Sequence, residues 1–252
     1  MESLWEQSWK PLEFSVQEGD MTTDVLIIGG GMVGVLCAYQ LHRAGVPYVL
    51  TEAETICSGI TKNTTAKITS QHGLIYHKLI SKFGIQQAKL YLTANQEALQ
   101  QYRNLCRGID CDFEEKPAYT YTLNDPRKIE KELNALEQLG FPAEFADTLP
   151  LPFSVAGAVK FPHQAQFHPL KFVSSIAKGL HIYEHTPVRE LVGTTAITGC
   201  DESRQNPCQE DHCDHPLSLS QQARQLFSQA VPAPLLCDCL EKRPRCGRHL
   251  CG

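Results

Sequence analysis

Three glycines spaced as Gly29-x-Gly31-x-x-Gly34, with an acid at Glu52, are the residues whose types and spacing most clearly suit a chemical task. Gly29 permits a tight turn, Gly31 lets backbone approach a pyrophosphate, and Gly34 lets a helix pack closely on a strand. Phosphates placed there meet free N–H groups and the positive end of a helix dipole. Glu52 follows Gly31 by twenty-one residues, where a carboxylate can accept a hydrogen bond from a ribose hydroxyl. That acid disfavours a cofactor carrying a 2′-phosphate. The bland alternative is a glycine-rich turn with no ligand.

The elements around these residues strengthen the motif. Asp24-Val-Leu-Ile-Ile28 is a short apolar run, as a buried parallel strand should be. Met32 to Ala44 is helical in pattern, and Gly45 is its C-cap. Pro47 to Glu52 reads as a second strand. Strand, glycine turn, helix, strand and acid therefore occur in order within about thirty residues, the size of one dinucleotide-binding unit. Further on, Cys57 to Gly73 reads as a polar loop, and Lys82 to Arg107 as a helix with a break near Gly84. A strand is expected over Phe113 to Leu123 and a helix from Pro126 to Gly140. Ala156 to Phe161 is a strand, His168 to Gly179 a helix, and His181 to Leu191 a strand-like segment interrupted at Pro187.

Composition narrows the classes. A chain of 252 residues is long enough to bury a core. Its net charge of -5 gives no reason to expect nucleic acid or an anionic membrane. The first twenty residues lack the basic start and apolar run of a secretory signal, so the expected location is the cytoplasm. The most apolar run, Val25 to Tyr39, carries four glycines and is too short for a membrane span.

Other residues invite attention and have plainer readings. Lys67 and His72 follow the polar loop and could approach a cofactor or substrate, although solvation or packing accounts for them as well. His168 reads as a helix-start residue, Cys37 as helix packing, and Tyr119 with Tyr121 as one strand face. Cys57 could be a redox thiol, but nothing pairs with it.

The segment TDVLIIGGGMVGVLCAYQLHRAGVPYVLTEAETICSGITKNTTAKITSQHGLIYHKL resembles the start of the D-amino-acid oxidase-like family of flavoproteins. GAVKFPHQAQFHPLKFV and IYEHTPVREL resemble the same family. More narrowly, they resemble its bacterial members that carry a C-terminal Rieske iron–sulfur domain. The resemblance covers about residues 4 to 198 and implies FAD as the cofactor. It further implies that Ser58, Thr61, Asn63, Thr64 and Thr65 lie on the flavin loop, and that Val188 offers backbone to the adenine. The implied activity is oxidation of a small substrate, an amine or similar, by hydride transfer to flavin. The electron acceptor and the catalytic residues are not implied. Two other readings stay open: an NAD-binding dehydrogenase fragment, and a non-catalytic remnant that keeps only dinucleotide binding.

The tail differs in character. Seven of the eleven cysteines fall in residues 200–252, among few β-branched or aromatic residues. Cys213-x-His215 and Cys246-x-x-His249 look like the halves of a Rieske site, but they are thirty residues apart and no strand-rich text surrounds them. A zinc site using Cys237-x-Cys239 meets the same objections, and no metal is expected. A one-nucleotide frame change, with permitted codons, lets Cys200 onward read AMKAGKIRARKIIVTTH, a turn and strand like the family's own continuation. The tail is thus expected to be a frameshift product that does not fold, in a truncated chain with impaired activity.

The expected fold is α/β: a Rossmann-like FAD-binding domain with an inserted substrate-side α+β region. Residues 1–23 are an N-terminal extension, and 24–82 the first part of the FAD-binding domain. Residues 83–160 are the substrate-side region, 161–198 an incomplete second part of the FAD-binding domain, and 199–252 the irregular tail.

Overall fold

The computed structural model describes residues 3–189; the candidate metal ligands and the frame change expected in the tail lie outside these. In chain order the elements are β1 (Val25–Ile28), α1 (Met32–Arg43), β2 (Tyr48–Thr51), β3 (Lys67–Ile68) and α2 (Tyr76–Cys106). They continue with β4 (Glu114–Thr122), α3 (Pro126–Gln138), β5 (Glu144–Ala146), β6 (Gly157–Gln166), α4 (Pro169–Ala177) and β7 (Ile182–Tyr183). Short 3-10 turns occupy Glu6–Ser8 and Ile60–Asn63. The architecture is α/β.

Packing divides the described residues into two units, 3–63 with 173–189 and 64–172. The boundaries expected at 82 and 160 instead cut α2 and β6. Tyr76, before the expected boundary, shares one core with Ala88, Leu92, Val159 and Phe161, so that stretch goes with the second unit.

The first unit is built on a parallel sheet, β1-β2-β7. β2 is central and all four of its residues are buried. Val25 pairs with Tyr48 and Ile28 with Thr51, while Leu50 pairs with Ile182 on the other side. α1 connects β1 to β2 and stops where Gly45 takes a positive φ of 68°. There Val46 N–H reaches back to the Leu41 carbonyl at 3.1 Å, closing the last turn. β1 departs from the buried strand that its apolar run predicts: Val25 is buried, but Ile28 is 51% exposed. The reason is position: among the described residues β1 pairs with β2 alone.

The second unit carries an antiparallel sheet, β3-β6-β4, with β5 also on β6. α2 and α3 cover it through Tyr76, Ile129, Leu136, Val159 and Phe161. α2 begins at Tyr76, earlier than expected, and breaks at Gly84 (φ 82°, ψ 165°) as its sequence suggested. What starts it so early is tertiary. Glu132 of α3, fully buried, accepts the N–H groups of Tyr76 at 2.8 Å and His77 at 3.1 Å. A helix's first N–H groups have no partner of their own, and here a distant carboxylate supplies it. β6 likewise outruns its expected end at Phe161. Pro162 reads as a breaker, but it falls where the β4–β6 register shifts between Lys116 and Ala118, opposite Pro117. The two prolines, which have no N–H to donate, share one bulge.

Candidate dinucleotide-binding site

The glycine run lies where β1 ends and α1 begins, and each glycine answers to a different constraint. Gly29 has φ 103°, a left-handed conformation that favours glycine. Its N–H donates to the Thr51 carbonyl at 2.8 Å, tying the turn to β2. A Cβ on Gly34 would collide with the Gly29 carbonyl oxygen, so close packing of helix on turn demands glycine. Gly30, which the spacing pattern does not weigh, is equally constrained: a Cβ there would stand 2.9 Å from Ile56 Cγ2 and 3.1 Å from Glu52 Cβ.

Gly31 differs from the other three. It is the N-cap of α1, with φ -73° and ψ 179°, a conformation open to any residue. The nearest atom to a Cβ on it is Thr61 Oγ1, at an ordinary 3.6 Å. Nothing in the protein's own packing requires glycine there. The open space above it is the cradle that a closely approaching pyrophosphate needs, and a Cβ would fill it. The residues present therefore fit a dinucleotide.

Glu52 stands just past the end of β2, half-buried. Its Oε2 accepts Gly30 N–H at 2.5 Å and its Oε1 accepts Glu54 N–H at 3.0 Å. An ionised carboxylate offers about four acceptor positions, so two remain for ribose hydroxyls. The backbone on either side is tied to the chain beyond β7: Thr186 N–H donates to the Glu52 carbonyl and His185 N–H to the Glu54 carbonyl, both at 2.8 Å. Val188, half-buried and irregular, follows two residues after Thr186.

The expected flavin-loop residues divide between the units. Thr61, in the 3-10 turn, accepts Met32 N–H with its hydroxyl at 3.1 Å. It thereby occupies one of the N–H groups that α1 turns toward an anion. Ser58 is half-buried, its N–H bonded to the Thr55 carbonyl at 3.2 Å. Asn63 is exposed, and its side chain donates to the Gly59 carbonyl at 3.2 Å, closing the loop on itself. The first unit thus brings Gly29, Gly31, Gly34, Glu52, Ser58, Thr61, Asn63 and Val188 into one set of connected segments. Thr64 and Thr65 open the second unit. The Thr64 hydroxyl accepts Ala66 N–H at 3.3 Å, and Thr65 is exposed.

The remaining candidates divide between buried and exposed positions. Cys57 is buried beside Gly30, and burial pushes its thiol up to about 12, which disfavours the thiolate that redox chemistry needs. Cys37 is raised to about 11 for the same reason. The His168 ring accepts Lys171 N–H at 3.2 Å, capping α4, and burial followed by the Lys171 charge holds its pKa down. His72 Nδ1 lies 2.8 Å from the Tyr91 hydroxyl, its pKa lowered by burial. Lys67 is exposed on β3, and Tyr119 and Tyr121 are exposed together on β4. Among the described residues no His, Cys, Asp and Glu gather as a metal site, and no helix is long and apolar enough to cross a membrane.

Comparison with known proteins bears on the family and the fold. The family pattern described as FAD dependent oxidoreductase, DAO, matches residues 24–215. That match runs past Cys200, beyond the stretch where the resemblance was expected to stop. The chain is 38% identical over 199 residues to YhfW of Bacillus subtilis (strain 168), whose name describes a Rieske 2Fe-2S iron-sulfur protein. It spans 39% of that relative's length, and the match takes in 75% of this chain. Among solved structures it is similar to L-proline dehydrogenase from P. horikoshii (TM-score 0.56, 18% identity, 68% of this chain and 46% of that one). L-amino acid deaminase from Proteus vulgaris is similar to the same degree (TM-score 0.54, 15% identity, 69% and 48%). At these identities the structural likeness bears on the fold.

Proposed function

The chain belongs to the FAD dependent oxidoreductase (DAO) family, and we propose that its first unit holds FAD by the adenosine half. The observation that carries this reading is Gly31, a glycine that the protein's own packing does not require, at the mouth of α1 and beside an acid-closed strand. Gly31 and the first turn of α1 take the pyrophosphate. Glu52 takes the ribose hydroxyls, and the backbone near Val188 takes the adenine edge. The Thr61 hydroxyl, which accepts Met32 N–H, keeps its own O–H to donate to a phosphate or ribityl oxygen. Ser58 and Asn63 supply further polar contacts along the loop. Family membership removes the NAD-dependent alternative.

Held there, FAD would supply hydride-accepting chemistry toward a C–H of a small substrate, an amine or similar. The substrate is a small molecule, and the amine assignment leans on proteins of this fold named for amino acids, L-proline dehydrogenase and L-amino acid deaminase. The chain's own part is to bind, orient and shield. The chain spans less than half of the length of these relatives, and dinucleotide binding is the activity assigned to these residues.

The test is flavin content. Glu52→Ala removes the ribose acceptor, and Gly31→Val puts a side chain in the pyrophosphate's path. Each is expected to lower FAD affinity about ten-fold or more, read by flavin fluorescence during titration. Unchanged affinity in both variants would remove the site assignment.

A further inference from the structure

The extension before β1 carries no motif, yet it makes a series of specific contacts within the first unit. Glu6 in its 3-10 turn pairs with Lys62 on the flavin loop at 3.0 Å. The Ser3 N–H bond, followed by Lys62, holds the Glu6 carboxyl below its usual range. Trp9 Nε1 donates to Ser174 Oγ of α4 at 2.6 Å. Phe14 N–H donates to Glu184 Oε2 at 3.2 Å, and Glu184 N–H donates back to the Ser15 carbonyl at 3.2 Å. Gln17 N–H then reaches Thr186 Oγ1 at 3.1 Å.

These contacts converge on the two ends of one loop. Glu184, only 2% exposed, accepts Ile56 N–H with its other oxygen at 2.7 Å. Ile56 is the residue that crowds Gly30, and Cys57 N–H donates to the Gly30 carbonyl at 3.0 Å. Phe14, Glu184, Ile56 and Gly30 thus form one line to the glycine turn. At the other end, Glu6 holds Lys62, the neighbour of Thr61, which bonds Met32 N–H. The loop over residues 53–63, which crosses the mouth of α1, is held at both ends by the extension. A buried carboxylate is stabilised by the N–H groups pointed at it, and losing one is costly.

We propose that residues 3–17 are a strap that sets the dinucleotide site, with Glu184 and Glu6 as positioning residues for the loop between Glu52 and Asn63. This rests on the reading of that site as an FAD site. Loop and turn are then pre-formed, and the dinucleotide is spared the cost of ordering them. Coupling of this kind is reciprocal: a strap that strengthens binding must itself be strengthened by the ligand.

The experiment titrates ADP and FAD calorimetrically into the full 252-residue chain and its variants. Deleting residues 3–17, or substituting Glu184→Gln, is expected to weaken ADP binding about ten-fold. Glu6→Lys is expected to weaken it about three-fold, with recovery in the Glu6→Lys, Lys62→Glu double variant. Amide hydrogen exchange at Phe14 and Gln17 should slow when ADP saturates the wild-type chain. If the wild-type chain binds neither ADP nor FAD, the site reading itself fails. If it binds both, and the deletion, Glu184→Gln and Glu6→Lys bind as well as wild type, the strap inference is overturned. Lower melting temperatures with unchanged affinity overturn it too, because they mark a merely structural tether.

Discussion

Gly31 and Gly34 separate binding from folding at the level of single residues. Gly34 is fixed by the Gly29 carbonyl behind it, so Gly34→Ala is expected to cost about 1–3 kcal/mol of stability through overpacking. Gly31 has open space and an unstrained backbone. Gly31→Val should therefore stay within about 1 kcal/mol of wild type in denaturant unfolding while losing the dinucleotide. Equal destabilisation by both would mean that Gly31 is a packing glycine. Cys57 allows a second check. With its thiol near 12 and its side chain buried, peptide mapping after iodoacetamide at pH 8 should find Cys57 unlabelled in the folded chain and labelled in urea. The glycines and Glu52 were legible in the sequence because their spacing is local. Glu184 was not: its partners Ile56 and Phe14 lie 128 and 170 residues away, and no spacing rule connects them. Gly30 left a trace, the unbroken run Gly29-Gly30-Gly31, which the x of the motif conceals.

The elements that were legible carry their own punctuation. α1 stops just before Gly45, and α3 starts at Pro126 and stops just before Gly140, each matching a local stop or start signal. The three-residue β5 and two-residue β3 are too short for any alternation to show. The start of α2 depends on Glu132, more than fifty residues downstream. Glu132→Ala is accordingly expected to cost about 2–4 kcal/mol by leaving two N–H groups unpaired, with Glu132→Gln milder, in urea unfolding. α4 makes a pH prediction. The folded-state pKa of His168 is depressed, while the unfolded chain titrates near the usual value of about 6.5. Its contribution is full above that value. As pH falls through it, the unfolded state takes the proton first and stability declines until the folded pKa is reached. His168→Asn, which keeps a cap acceptor without titrating, should flatten the decline in stability that begins as pH falls through about 6.5. An unchanged slope would assign the pH dependence to other groups.

At the scale of the whole molecule, the β1 edge of the described residues bears on how the chain behaves. Among the described residues β1 pairs only with β2, Ile28 is half exposed and Val33 at the start of α1 is 81% exposed. Unpaired apolar edges favour association, and the chain spans 39% of its curated relative. Expressing the 252-residue chain beside a version with the reading frame changed at codon 199 tests the expectation for the tail: the frame-changed gene should yield the better-behaved flavoprotein. Metal analysis of the 252-residue chain is expected to find neither iron nor zinc in stoichiometric amount, given the separation of its Cys and His pairs. The claim on which the rest depends is that a dinucleotide's phosphates sit at the start of α1, and backbone amide chemical shifts report on this most directly. Adding ADP to isotopically labelled chain should move the N–H resonances of Gly31, Met32 and Val33 most, saturably and with one site per chain. Saturable binding that leaves those three resonances in place, or no binding at all, would contradict the account.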